Sequence, residues 1–360
     1  MKNFFAVSLC LLASLGNAQT LDVAIPIRGL AIAAPLPEQL GSFLDFIDQE
    51  LGPGGINTLV LRVDYNYQYQ SHPELRNEIA LSESEVKQLV AIAKKWDIRL
   101  IPQINLLGHQ SWAEKPEKLL QVYPQFDETP HVKFPEKYEW PNKDGLYCKS
   151  YCPLHPDVHG VVFELVAEIL EVFEADAFHA GMDEVFYLAD DQCPRCAGKN
   201  KARLFADEVI RIRDFLATKD ASLWIWGDRL LDGENTGLGM WEASQNETWE
   251  AIKWMPKDVV ICDWHYERAE PTAPYFAQHG LQVVSCPWRI SAVGQQQVEQ
   301  LLLYREHAND ELKEKFQGVL HTVWSPVGPF LQRYYNDPDG EDSGDVQTLK
   351  ALIEKYKSLK

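Results

Sequence analysis

Positive charge is scarce in this 360-residue chain: 34 Lys and Arg stand against 53 Asp and Glu, a formal charge of −19 at pH 7. Removing residues 1–18, with their single Lys2, leaves 33 basic residues and a charge of −20. Such a balance repels nucleic acid and anionic membranes, and it disfavours polyanionic glycans as partners. Beyond residue 18 no apolar run is long enough to cross a bilayer, so no membrane span is expected. Internal repeats and low-complexity linkers are also lacking, which points to one domain over residues 19–360. Cysteine is sparse, with seven in the chain and six once Cys10 is removed with the leader.

Residues 1–18 read as that leader. Lys2 supplies the positive start, residues 4–15 the apolar stretch, and Gly16-Asn17-Ala18 the small residues before a cut. Lipid attachment at Cys10 is disfavoured by the bulk of Leu9. A chain starting near Gln19, exported to the periplasm or the extracellular space, is the expectation. An oxidising compartment and an even cysteine count invite disulfides. Cys148-x3-Cys152 and Cys193-x2-Cys196 both fall in loops and are expected to meet; disulfides are the preferred reading and a structural zinc the alternative. Cys262 and Cys286 lie in apolar runs, where buried free thiols are ordinary.

What the chain has in quantity is apolar sequence, 46% of its residues. Eight short apolar runs, at 27–33, 57–63, 98–104, 177–181, 222–227, 258–264, 281–286 and 317–324, alternate with segments of helical period. Strands apolar on both faces, each followed by a helix, predict a single-domain α/β fold, the (β/α)8 TIM barrel. The chemistry of such barrels sits at the C-terminal ends of the strands, so those ends are the positions to read. Two long loops, at 105–156 and 228–247, should build over that face.

The fourth run ends Phe178-His179-Ala180-Gly181-Met182-Asp183-Glu184-Val185, an apolar strand leading to two adjacent carboxylates. Taken alone, the acid pair equally fits the first turn of a helix. At a strand end it fits a division of labour, one neutral proton donor and one ionised carboxylate, because close like charges push their pKa values apart. Aromatic residues end the later strands: Trp226 and then Trp241, Asp263-Trp264-His265-Tyr266, Trp288, and Trp324. Rings with a few charged groups suit sugars, whose C–H faces stack while hydroxyls and amides take hydrogen bonds. His109 and His179 lack a clear third ligand, so neither a catalytic metal nor any cofactor is expected.

The pattern His179-x-Gly181-x-Asp183-Glu184 resembles the signature of family 20 glycoside hydrolases, the β-N-acetylhexosaminidases. The likeness runs from Arg28-Gly29 through Leu107-Gly108-His109 to Trp324. It implies that Glu184 is the general acid/base and Asp183 the carboxylate orienting a substrate acetamido group. It further implies that Arg28 grips the sugar's outer hydroxyls, that His109 lies in the pocket, and that Trp226, Trp241 and Trp324 enclose the sugar. Candidate contacts with lower support are His179, Asp263, Trp264, Tyr266 and Trp288. The implied partner is an N-acetylhexosamine-containing oligosaccharide or glycoconjugate. The implied reaction removes terminal β-linked N-acetylhexosamine through an oxazolinium intermediate with retention, with Glu184 kept protonated and a mildly acidic optimum. The alternatives are a glycosidase of altered or internal-linkage specificity and a non-catalytic glycan-binding protein. Three departures bear on specificity: Ser325 and Pro326 follow Trp324 where the family often has Glu two residues on, the Tyr-x-Asp arrangement after the sixth strand is replaced, and the accessory domain that often precedes the barrel is not expected here.

Overall fold

The computed structural model describes residues 21–137 and 148–359; the leader read at residues 1–18 lies outside them. Eight parallel strands close into a barrel: β1 Ile27–Ala33, β2 Thr58–Arg62, β3 Arg99–Leu106, β4 Ala177–Gly181, β5 Ser222–Trp226, β6 Val260–Trp264, β7 Gln282–Cys286 and β8 Phe316–Thr322. Each pairs with its sequence neighbours, and β1 closes on β8 with Ile27 opposite Gly318 and Ala31 opposite Thr322. The chain is the (β/α)8 barrel that its alternating pattern predicts.

Helices cover the outside: α1 Leu40–Phe46, α2 Glu83–Lys95, α3 Val158–Val172, α4 Lys201–Ala217, α5 Ala273–Gln278, α6 Ser291–His307, α7 Val327–Asn336 and α8 Gly344–Ser358. Local chemistry sets their starts. Ser82 and Glu85 form a capping box on α2, and Asn200 Oδ1 accepts from the Arg203 amide at 2.7 Å on α4. Between β5 and β6 the crossover is a 3-10 segment, Thr248–Trp254.

Strand periodicity sorts side chains into two cores. Ala31, Val60, Ile101, Ala177, Trp224, Trp226, Cys262, Trp264, Cys286 and Leu320 fill the barrel lumen. Leu30, Leu59, Leu61, Phe178, Ile225, Ile261 and Val319 pack outward under the helices. Position parity therefore decides which residues can reach a pocket at the barrel mouth. Thr58 and Arg62 share the lumen side with Val60, whereas Arg28 and Asp263 share the outer side with Leu30 and Ile261.

Candidate active site

Two glycines let the loops after β3 and β4 meet above the lumen. A Cβ on Gly108 would stand 2.7 Å from the Asp183 carbonyl oxygen, and one on Gly181 would stand 2.4 Å from Asn105 Oδ1, at a φ of +67°. Left-handed backbone also occurs at non-glycine residues of these strand exits: Asp64 (φ 45°), Leu107 (62°), His109 (53°), Met182 (68°) and Glu184 (49°). Each such conformation costs about 1–3 kcal/mol and persists only where its surroundings over-determine it. Here the surroundings are the packed exits of β2, β3 and β4.

This backbone brings His109 to both carboxylates. Its Nε2 lies 3.0 Å from Asp183 Oδ2 and 3.4 Å from Glu184 Oε2. Burial alone would raise the Asp183 pKa, but the His109 charge and hydrogen bond outweigh it and hold the carboxyl below its ordinary range. Burial would likewise lower the His109 pKa, yet the Asp183 carboxylate holds it well above the usual imidazole value. The other ring nitrogen, Nδ1, donates to Cys148 Sγ at 3.0 Å, and burial keeps that thiol neutral by pushing its pKa to about 11. Asp183 Oδ1 is buried with no hydrogen-bond partner among the described residues. His109, Cys148 and Glu184 also place three donor atoms within 4.8 Å of one another.

From β5 comes a second support. Asp228 Oδ2 accepts from the Glu184 amide at 2.9 Å and from Arg229 Nε at 2.6 Å, and Oδ1 accepts from Trp264 Nε1 at 3.2 Å. Arg229 in turn donates to the carbonyls of Met240, Trp241 and Ala243, so one buried ion pair fixes both the Glu184 backbone and the loop bearing Trp241. From β2, Asp64 Oδ1 accepts from the Asn105 amide at 2.8 Å.

Rings complete the mouth. Trp226 and Trp324 lie 5.7 Å apart, Trp264 stacks on Tyr266 at 4.9 Å, and Tyr266 meets Trp288 edge-on at 5.3 Å. Trp324 Nε1 donates to the Tyr266 hydroxyl at 2.9 Å. Trp241 packs on Phe186 at 5.1 Å, beside the lumen cluster. Arg62, at the end of β2, lies 4.7 Å above the Trp324 ring and donates to the Val323 and Trp324 carbonyls. Carboxylates, one guanidinium and several indoles thus converge at the C-terminal end of the barrel, where the catalytic-domain model of glycosyl hydrolase family 20 matches residues 63–325.

The chain belongs to glycosyl hydrolase family 20. A beta-hexosaminidase of Akkermansia muciniphila is 26% identical over 149 residues, 39% of this chain and 27% of that protein. Hexosaminidase D of Bos taurus is 25% identical over 143 residues, 39% of this chain and 36% of that protein. The alignment thus spans well under two thirds of either curated relative. A crystal structure of a beta-N-acetylhexosaminidase from Bacteroides fragilis superposes with a TM-score of 0.63 at 17% identity, covering 92% of this chain and 66% of that one. At that identity the likeness speaks for the fold.

Several expected site residues of this family 20 barrel lie elsewhere. Arg28 sits at the start of β1 on its outer face, donating to the Gly55 and Ile25 carbonyls and pairing with Asp22 at 2.8 Å, so it belongs to the opposite end of the barrel. Asp263 faces away from the lumen: it accepts from Thr272 Oγ1 at 2.6 Å and pairs with His265 at 3.1 Å. Burial pulls the His265 pKa down, but Asp263 and Glu242 raise it to about 10. His179 is wholly buried 4.5 Å from Trp226, its Nδ1 accepting from the Gly181 amide, so it supports the pocket floor through that ring.

The cysteines also depart from expectation. Cys262 and Cys286 are buried free thiols, as expected, whereas no disulfide joins the other four: Cys148 joins His109, and Cys152, Cys193 and Cys196 gather around Glu128. Arg62, Asp228, Arg229 and Cys148 are the residues sequence reasoning passed over for the site. Arg62 ends β2, and the parity that places it on the lumen side with Val60 is the signal that finds it; Asp228 and Arg229 lie just past β5 in the 3-10 turn Asp228–Leu230, where strand parity no longer applies.

Proposed function

We propose that this chain hydrolyses terminal β-linked N-acetylhexosaminides with help from the substrate's own acetamido group. Glu184 protonates the leaving oxygen as the C1–O bond breaks, and the acetamido carbonyl oxygen bonds to C1, giving a cyclic oxazolinium. Water then adds to C1 as the bond from C1 to the acetamido oxygen breaks and Glu184 takes the water's proton, which restores the acetamide and retains configuration. Asp183 accepts the acetamido N–H and offsets the positive charge of the ring that forms.

The observation that carries this reading is the unequal pair of oxygens on Asp183: Oδ2 is tied to His109, and Oδ1 is buried without a hydrogen-bond partner among the described residues, near Glu184. An ionised carboxylate with one oxygen anchored and one unsatisfied is a preorganised acceptor for an amide N–H. Trp226, Trp324, Trp264 and Tyr266 supply stacking surface. Arg62 takes the role expected of Arg28 in meeting sugar hydroxyls. Pro326 stands two residues after Trp324, where the family often has Glu, and Ser325 between them accepts from Arg333 at 2.9 Å and so turns toward α7, which leaves the β8 end without that carboxylate. The leader at residues 1–18 supports export of the enzyme.

The test is release of a chromophore from β-N-acetylglucosaminide and β-N-acetylgalactosaminide by wild type, Glu184→Gln and Asp183→Asn. Glu184→Gln should lower kcat by roughly 10²–10⁴, the usual worth of a positioned acid/base. Asp183→Asn should lower kcat and leave little activity on substrates that depend on acetamido attack. Absence of turnover with either glycoside by wild type, or a fully active Glu184→Gln, overturns the proposal. Oligosaccharides of defined length, scored for terminal against internal cleavage, check the exo mode.

A further inference from the structure

Next to the catalytic loops, four buried donors converge that the hydrolytic reaction does not use. Glu128 follows the 3-10 turn Pro124–Phe126 in the β3–α3 loop, Cys152 lies further along the same loop, and Cys193 and Cys196 lie in the β4–α4 loop. Their ligand atoms all fall within 4.8 Å of one another. Cys152 Sγ is 3.6 Å from Cys193 Sγ and 3.5 Å from Cys196 Sγ. We propose that Glu128, Cys152, Cys193 and Cys196 hold one structural zinc ion that clamps the β3–α3 loop to the β4–α4 loop.

Spacing separates this reading from a disulfide. A disulfide needs sulphurs about 2.0 Å apart, whereas zinc bonds of about 2.3 Å in a tetrahedron set them about 3.8 Å apart. The count points the same way: any single disulfide among three sulphurs leaves one thiol over and gives Glu128 no role. Glu128 Oε2 is buried with no hydrogen-bond partner among the described residues, while Oε1 accepts from the Asp190 amide at 3.2 Å. That arrangement is a ligand oxygen facing the sulphurs and a second oxygen held by an outer partner, as metal-binding carboxylates require.

Backbone geometry prepares the sulphurs. Cys193-Pro194-Arg195-Cys196 forms a tight turn in which the Arg195 and Cys196 amides point at the Cys193 sulphur. The Ala197 amide bonds the Cys193 carbonyl at 3.0 Å, the Lys199 amide bonds the Cys196 carbonyl at 3.1 Å, and Gly198 closes the turn at a φ of +70°. The Leu154 amide likewise points at the Cys152 sulphur. These amide donors oppose the burial that otherwise disfavours the thiolate, the form that binds metal. Three thiolates and one carboxylate select a borderline-soft tetrahedral ion and disfavour calcium or magnesium, and their summed charge equals that of the familiar four-cysteine zinc site. The consequence is mechanical: the clamp joins the loop carrying His109 and Cys148 to the loop carrying Asp183 and Glu184.

The experiment uses residues 19–360, which leave out the leader and its Cys10, purified with zinc present in the growth medium. Metal analysis should give about one zinc per chain after dialysis, and thiol titration in denaturant with chelator should count all six cysteines. Glu128→Gln should lose more than the roughly 10–100-fold in zinc affinity that an outer-shell change costs, whereas Cys148→Ser should keep the metal. Should the ligand variants misfold, cobalt(II) titration of the chelated wild type should give the sulphur-to-metal charge-transfer band and intense visible bands of a tetrahedral thiolate site. Four titratable thiols with no zinc, or six thiols with neither zinc retention nor the cobalt spectrum, overturns the proposal. None of these readouts depends on hydrolysis, so the clamp and the proposed reaction fail separately.

Discussion

His109 is the residue on which the site's charge distribution turns. Its imidazolium holds Asp183 ionised, and Asp183 holds it protonated, so the two shifts describe one interaction seen from either partner. The sign of the pH dependence follows. A histidine raised in the fold contributes stability that is complete below its unfolded value near 6.5 and is lost as pH rises through the folded value. The lowered Asp183 contributes stability present above its unfolded value near 3.9 and lost as pH falls through the folded one. Between those limits the pair is intact. Nitrogen-15 NMR of the imidazole at pH 7.5 should find both His109 nitrogens protonated, and Asp183→Asn should return the titration toward 6.5. A neutral His109 at pH 7.5 in the wild type contradicts the pairing.

At the scale of elements, function depends on the two loops that meet at Gly108 and Gly181. Gly108 has ordinary backbone angles, so the reason for glycine there is space: the Asp183 carbonyl oxygen occupies the position a side chain needs. Backbone cannot swing aside as a flexible side chain can. Gly108→Ala should therefore destabilise the fold by about 1–3 kcal/mol, as overpacking does. It should also lower kcat by up to about 10²-fold, because small displacements of a catalytic group are costly. Gly160→Ala in α3, where nothing lies within 4 Å, is the control and should keep both Tm and kcat at or above wild type. Equal behaviour of the two variants in a melting curve and a kinetic assay refutes the contact argument.

For the molecule as a whole, the barrel separates stability from chemistry along its axis. Arg28 and Arg62 both lie on strands of the lumen wall, at opposite ends. Arg28 ties the start of β1 to the Ile25 and Gly55 carbonyls, and Arg62 meets the Trp324 ring at the mouth. Arg28→Met should cost about 1–3 kcal/mol, the penalty for orphaned buried acceptors, with kcat/KM unchanged. Arg62→Met should lower kcat/KM at least tenfold with a smaller change in Tm. Thermal melts beside steady-state kinetics on the same preparations check both, and an Arg28 variant that loses activity while fully folded contradicts the assignment.

The amino-acid order alone determined the strand and helix alternation, because apolar runs of strand length between helical periods have few other ways to bury themselves. It also determined the Asp183-Glu184 pair, since both carboxylates, the small Gly181 and the preceding strand are contiguous and need no distant partner to be recognised. Tertiary structure decided what contiguity cannot carry. Whether an arginine beside a strand serves the pocket depends on its face and its end of the barrel, which separates Arg62 from Arg28. Asp263 fails for one reason of parity, lying between the lumen residues Cys262 and Trp264 and so facing the helices. Glu128 stands far along the chain from Cys193 and Cys196, and only the parallel pairing of β3 with β4, by setting their exits side by side, brings its carboxylate to their sulphurs.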